Sequence, residues 1–286
     1  MTLPLSVITV THNHAAYIGR CLEALVPEVD RVGGEVILID NRSDDESAEI
    51  IRRYPTVHLH VNQGRHGFSV NNNRGMAIAQ GRYLLLLNPD TEVHPGALQT
   101  LIDFMDTYPE VGMCGAQLKF PDGTVQPSPR RFPTFGSTLI RRTPLRLFLR
   151  HSRFNRQHLM LDVDHSQPRP VDWLLGACLF VRREVVEQVG PLDEGFFLYV
   201  EDIDWARRMH DAGWEIYYVP TATITHHHLA VSDKKFFSRY TWLHIQSMIR
   251  YIRKYLLPPI PGVAIRGYRS EVWRSTLRET ESTRPV

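Results

Sequence analysis

Tyr83-Leu84-Leu85-Leu86-Leu87-Asn88-Pro89-Asp90 is the stretch on which the fold turns. Its apolar run is too short for a free-standing helix and has no polar alternation, so it predicts a strand buried on both faces. Asn-Pro-Asp is a turn signal. It leaves one carboxylate, Asp90, beyond the end of the most apolar strand. Upstream, residues 5–10 (LSVITV), 36–39 and 57–61 predict three more strands. Between them Tyr17, Cys21, Leu22 and Leu25 recur at helical spacing over residues 15–26. Ser43-Asp44-Asp45-Glu46 has the capping-box pattern that opens a helix to about residue 54. A Gly- and Asn-rich loop, residues 62–68, leads into a helix near 71–79. Strands alternating with helices, with no room for hairpins, predict an α/β fold whose mostly parallel sheet is covered on both faces. Ligands of such sheets bind beyond the carboxyl ends of the strands.

Downstream of a strand at 111–118 the character changes. No acidic residue occurs between Ser128 and His158, whereas Arg130, Arg131, Arg141, Arg142, Arg146, Arg150, Arg153 and Arg156 do. This is either a solvated basic insertion or a surface for phosphates. The pattern recovers with an apolar run at 173–181, a helix from about 183, an acid-led helix at 201–212 ended by Gly213, and short strands at 215–219 and 222–225. His226-His227-His228 follows. A basic amphipathic helix is expected from about 232 to 255, stopped by Pro258, Pro259 and Pro261. Its apolar stripe suits either packing on the domain or contact with a membrane surface.

The 286 residues include 33 Lys+Arg and 31 Asp+Glu, a net charge of +2, which does not suit a globally basic nucleic-acid binder. With 43% hydrophobic and 22% charged residues, disorder and collagen-like repeats are excluded. Three well-separated cysteines and no CxxC pair support neither a disulfide framework nor a zinc ribbon. Met1-Thr2-Leu3-Pro4 does not resemble a secretory leader, and no apolar run reaches about 18 residues. The expectation is a cytoplasmic protein, peripheral at the inner face of the cell membrane if the last helix touches lipid.

Acidic or metal-ligating groups recur where a parallel sheet places its site: Asp40 after the second strand, Asp90 after the fourth, Glu201-Asp202 opening a helix, and histidines after the last strand. Each alone could be a turn, a helix-dipole partner or a surface tract. Together they suit transfer from a nucleotide diphosphate. A hard cation needs an oxygen ligand such as Asp90. A carboxylate such as Asp40 can accept a base or ribose hydroxyl. A third carboxylate can deprotonate an attacking hydroxyl.

These residues resemble the inverting glycosyltransferases of family 2. The resemblance runs through Ser6-Val7-Ile8-Thr9-Val10-Thr11, Ile39-Asp40-Asn41 with Ser43-Asp44, Gly67-Phe68 before Asn72-Asn73, and Leu86 to Thr91. It continues with Gly176-Ala177-Cys178, Gly190 to Glu194, Phe196-Phe197, Tyr199 to Asp204 and the closing histidines. It is nearest to the bacterial rhamnosyltransferase-like subgroup of surface polysaccharide assembly. The resemblance implies a GT-A fold, with a catalytic domain over 1–232 and a C-terminal helix and tail over 233–286. Within the domain it implies a nucleotide-binding half (1–118), a basic variable insertion (119–170) and an acceptor and catalytic half (171–232).

By position it also implies roles. Thr9, Thr11, Asp40, Asn41, Asn73 and Asn88 would hold the donor nucleotide. Asp90 and His226 would bind Mg²⁺ or Mn²⁺, with His227 the alternative to His226. Asp202 would be the catalytic base, and Glu201, Trp173 and Asp193 would bind or orient the acceptor. Asn88 stands where the family motif has its first acid. The implied substrates are a dTDP-, UDP- or GDP-sugar, with rhamnose a candidate, and a saccharide or lipid-linked acceptor. No nucleic acid is implied. A sugar nucleotidyltransferase is the competing enzyme, but 10–14 (VTHNH) lacks its Gly-rich phosphate loop. A non-catalytic membrane or RNA-binding module would not need Asp40, Asp90 and Asp202 together.

Overall fold

The computed structural model describes residues 2–133, 153–227 and 239–256. Four strands, β1 (Leu3–Thr11), β2 (Glu35–Asp40), β3 (Val57–Val61) and β4 (Gly81–Leu87), lie side by side in the order β3-β2-β1-β4, all parallel. Helices α1 (Ala15–Val32), α2 (Ser47–Ile51) and α3 (Phe68–Ile78) connect them. The pleat of β4 divides its leucines: Tyr83, Leu85 and Leu87 pack with Leu22 and Leu25 of α1, whereas Leu84 and Leu86 pack with Met76 of α3. Burying each leucine contributes about 1.5–3 kcal/mol, so an unbroken leucine run is what a strand between two helical layers requires.

The sheet continues through β5 (Thr91–Val93), α4 (Ala97–Thr107) and β6 (Val111–Lys119). From the carboxyl end of β6 the chain passes through β7 (Val125–Gln126), β8 (Pro129–Arg130), α5 (Arg153–His158), β9 (Arg169–Pro170) and β10 (Trp173–Leu174). It re-enters at that same edge, so β11 (Cys178–Arg182) must run antiparallel between β4 and β6. The sheet is therefore mixed, and the sequence halves on either side of the insertion share it. Helix α6 (Arg183–Val189), helix α7 (Glu201–Asp211), strand β12 (Glu215–His226) and helix α8 (Arg239–Tyr255) complete the described chain. β12 is parallel to β6 and antiparallel to β5.

Three local expectations change. The helix expected from Ser43 shrinks to the five residues of α2, because the Ser43 N–H and hydroxyl both bond Asp40. The 173–181 run breaks at Gly176 into β10 and β11, since Leu175 N–H and Asp172 N–H turn to the 128–130 segment. The two short strands after Gly213 are one strand with an irregularity between Val219 and Thr223. Arg141, Arg142, Arg146, Arg150, the 232–238 start of the expected last helix and the tail after 256 lie outside the described residues.

Candidate active site

β1, β2, β4, β6 and β12 all end at one edge of the sheet, and the titratable groups gather there. Asp40, the last residue of β2, is buried and accepts the Ser43 N–H at 3.1 Å and the Ser43 hydroxyl. The same loop buttresses the start of α1: Ser47 Oγ accepts His14 N–H at 2.9 Å and Asp45 accepts Ala15 N–H at 3.0 Å. Thr9 and Thr11 are fully buried; Thr11 Oγ1 lies 3.4 Å from His14 Nδ1, and Thr9 Oγ1 has no hydrogen-bond partner.

Asp90 meets His226 through strand register. β5 begins directly after Asp90, and its Thr91 is opposite His226 at the end of β12. His226 Nε2 stands 3.4 Å from Asp90 Oδ1, and both side chains are buried. On the other side of the ring, Nδ1 lies 2.8 Å from Gln126 Oε1. Gln126 thus fixes the ring with Nε2 facing the carboxylate. Nε2–H can donate to Asp90, and a cation lying between the two would take that proton's place, the orientation in which a histidine is held towards a metal. His227 points elsewhere: its ring pairs with Glu92 at 2.7 Å and packs on Tyr17, and its N–H bonds Asp90 O. Burial opposes ionisation of Asp90, but the His226 hydrogen bond and charge, with His14, outweigh it and hold the carboxyl below its ordinary value.

Among the described residues no three His, Cys, Asp or Glu side chains converge as a metal cage. Asp90 and His226 are a carboxylate and an imidazole that would supply two protein ligands to a divalent cation and leave its other positions open, as suits a cation at substrate phosphates. Nitrogen in that set favours Mn²⁺ over Mg²⁺.

Asp202 occupies the first turn of α7. Its Oδ2 accepts Gly176 N–H at 3.2 Å and its Oδ1 accepts Ile203 N–H at 2.9 Å. Burial pushes its carboxyl up to about 6, against these two N–H groups and the charge of Arg130. Glu201 is raised well above the ordinary range by burial and then by Asp202, and its Oε2 has no hydrogen-bond partner. Tyr199 and Val200, immediately before α7, both have positive φ (69° and 72°). That conformation is unfavourable for a β-branched residue, and such outliers persist only where surrounding contacts hold them.

Other expected residues make contacts within the protein. Asn41 exchanges hydrogen bonds with the His66 backbone, Nδ2 to O at 3.0 Å and N–H to Oδ1 at 2.9 Å. Asn73 donates to Leu192 O and Glu194 and accepts Leu192 N–H, so both its amide hydrogens are engaged within the protein. Asp193, expected on the acceptor side, is ion-paired with Arg250 and Lys254 of α8. The Trp173 indole bonds Arg131 O. Asn88 is half-buried at the end of β4, and its N–H bonds Ala177 O. Sequence reading missed His14 and Gln126, and held Arg130 only as one of the eight arginines of the basic segment. His14 was findable as a ring three residues beyond the end of β1; Gln126 and Arg130 reach the site only through tertiary pairing.

Residues 6–190 match Glycosyl transferase family 2. The chain is 34% identical over 242 residues to the N-acetylglucosaminyl-diphospho-decaprenol L-rhamnosyltransferase of Mycobacterium tuberculosis, covering 79% of this chain and 77% of that protein. It is 28% identical over 262 residues to rhamnosyltransferase WbbL of Escherichia coli, covering 87% and 92%. Among solved structures, GalNAc-T7 with UDP, GalNAc and Mn²⁺ superposes with a TM-score of 0.61 at 16% identity, over 98% of this chain and 55% of that one. S. aureus TarS 1-349 with UDP-GlcNAc gives 0.56 at 14% identity, over 96% and 71%. At such identities the structural likeness speaks for the GT-A fold alone. The sequence match supplies the rest, and this chain belongs to glycosyl transferase family 2 as a sugar-transferring enzyme.

Proposed function

We propose that the enzyme is an inverting, divalent-cation-dependent transferase that moves a sugar from a nucleotide diphosphate to a hydroxyl of a lipid-diphosphate-linked saccharide, in cell-surface glycan assembly. The observation that carries this reading is the Asp90–His226 pair at the sheet edge on which β2 also delivers Asp40. Asp40 is the group for the nucleoside. The Asp90 and His226 side chains would hold Mn²⁺ or Mg²⁺, which when bound neutralises charge on the departing diphosphate. Asp202, ionised at neutral pH, accepts the proton of the acceptor hydroxyl as its oxygen attacks the anomeric carbon. The bond from that carbon to the diphosphate oxygen breaks on the opposite face, so configuration inverts. Glu201, whose ionisation burial and Asp202 both oppose, would in its protonated form donate a hydrogen bond to the acceptor.

The rhamnosyltransferase relatives favour rhamnose as the sugar and an isoprenoid diphosphate as the acceptor's carrier. Arg130, whose charge is felt at Asp202, is a suitable neighbour for the acceptor's diphosphate. A panel of dTDP-, UDP- and GDP-sugars tests the donor. The true donor at 100 times its Kd should add about 2.7 kcal/mol of stability, seen as a rise in Tm that requires the cation. If no nucleotide sugar raises Tm with Mg²⁺ or Mn²⁺, the reading fails.

A lipid carrier brings the reaction to a membrane surface. Among the described residues no helix is long and apolar enough to cross a membrane. On α8, however, Trp242 (60% exposed) and Ile249 (45%), with Leu256 (47%) just beyond it, are spaced by seven residues along one outer face, and Arg253 is exposed too. This face suits an interfacial helix on an anionic bilayer. Binding to anionic liposomes should fall steeply with salt, because basic contacts of roughly 1 kcal/mol each are screened, and Trp242→Glu should weaken it. Absence of binding at low salt removes the membrane from the proposal.

A further inference from the structure

The turn that presents Asp202 is gripped from both sides. On one side α3 holds residues 192–197: Phe68 N–H bonds Phe197 O at 2.8 Å, Ser69 Oγ bonds Phe196 O at 3.0 Å, and Asn73 bonds Leu192. A Cβ on Gly67 would come within 2.9 Å of Phe197 O, so this contact needs glycine. On the other side stands α8, which lies beyond the residues that match the family. Arg250 Nη2 bonds both Asp193 oxygens at 2.9 and 3.1 Å, and Lys254 Nζ bridges Asp193 at 3.0 Å and Asp204 at 2.6 Å. Tyr255 OH donates to Asp204 at 2.9 Å, and Ser247 Oγ donates to Leu198 O at 2.9 Å. Asp204 is fully buried and lies in the same helical turn as Asp202. Both anchors therefore flank the strained pair Tyr199-Val200. The ion pairs of α8 are thus directed at the two ends of a strained turn.

We propose that α8 is part of the catalytic apparatus, with Lys254 and Arg250 as positioning residues that hold Asp193 and Asp204 and thereby fix Asp202 in its working geometry. This rests on Asp202 being the base. Neither cation need touch substrate. Their effect is transmitted through the 193–204 turn, where a displacement of 1 Å can cost about 10²-fold in rate. The outer face of α8, proposed for lipid, and this inner face are separate, so the two roles can be perturbed independently.

The test uses the full-length enzyme with a soluble acceptor, measuring kcat, donor Kd by titration, and Tm. Lys254→Met should lower kcat by about 10²-fold with donor Kd unchanged, and Lys254→Arg should recover most of the loss. Should Lys254→Met not fold, Gly195→Ala replaces it. A Cβ there would overlap the Arg250 guanidinium and push it off Asp193 without removing a charge. Tyr255→Phe removes one bond to Asp204 and leaves the ion pairs. Both should lower kcat with donor Kd unchanged. Wild-type kcat in folded Lys254→Met or Gly195→Ala overturns the inference, as does a fall in donor affinity equal to the fall in kcat. If Asp202→Asn itself retains turnover, it is the assignment of the base that has failed.

Discussion

Asp202→Asn should lower kcat by roughly 10²–10⁴ while donor binding is preserved. The amide keeps the side chain's shape and its carbonyl oxygen can still accept one of the two N–H bonds from Gly176 and Ile203, but it cannot take a proton. The pH profile provides a second readout. The working form is the carboxylate, and burial raises its pKa to about 6. Activity should therefore be full above that value and decline as pH falls through it, well above the pH at which an ordinary exposed carboxylate would protonate. In Asp202→Asn the residual rate should lose this acid limb. Near-normal turnover in Asp202→Asn together with a dead Glu201→Gln would transfer the role to Glu201. A product that retains the donor's anomeric configuration would falsify single displacement.

The second large effect is expected at Asp90. Asp90→Asn leaves His226 facing a neutral amide instead of a carboxylate, so cation-dependent donor binding should disappear: donor Kd with Mn²⁺ should equal that measured in chelator. Gln126→Ala acts one step back. It frees the His226 ring without touching the carboxylate, and loss of such an orienting bond typically costs 10–100-fold in metal affinity. Both can be read by titration without turnover. Unchanged donor affinity and an unchanged cation requirement in Asp90→Asn would take Asp90 out of the site.

Much of this was legible in the chain. The leucine run of β4 is a strand because nothing but a strand between two helical layers buries every residue of so short a segment. The alternation of strands and helices dictated the parallel β3-β2-β1-β4 half. Asp40 and Asp90 were legible as candidates because chain direction in a parallel sheet puts the residue after each strand on one edge; Asp202, at the head of a helix, was legible through the resemblance to the family. The periodicity of α8 required an apolar face to be covered, although not by what.

Whether a polar side chain at that edge is available for chemistry was beyond the sequence. Asn41 and Asn73 look as suitable as Asn88 in one dimension, yet their amides are engaged with the His66 and Leu192 backbones. That His226 rather than His227 faces Asp90 follows from the register of β12 against β5, in which a slip of one residue would exchange the two rings. Gln126 and Arg130 reach the site because the insertion leaves and re-enters at the carboxyl edge, reversing β11. Asp193 was indistinguishable from an acceptor-binding acid until α8 brought Arg250 and Lys254 against it, whereas Asp204 pairs with Arg208 of its own helix at the spacing the sequence offers and receives Lys254 in addition. Local propensity and periodicity act over a few residues and specify the elements. Hydrogen-bond partners and ion pairs between elements far apart in the chain depend on register and packing, and these exist only once the chain has folded.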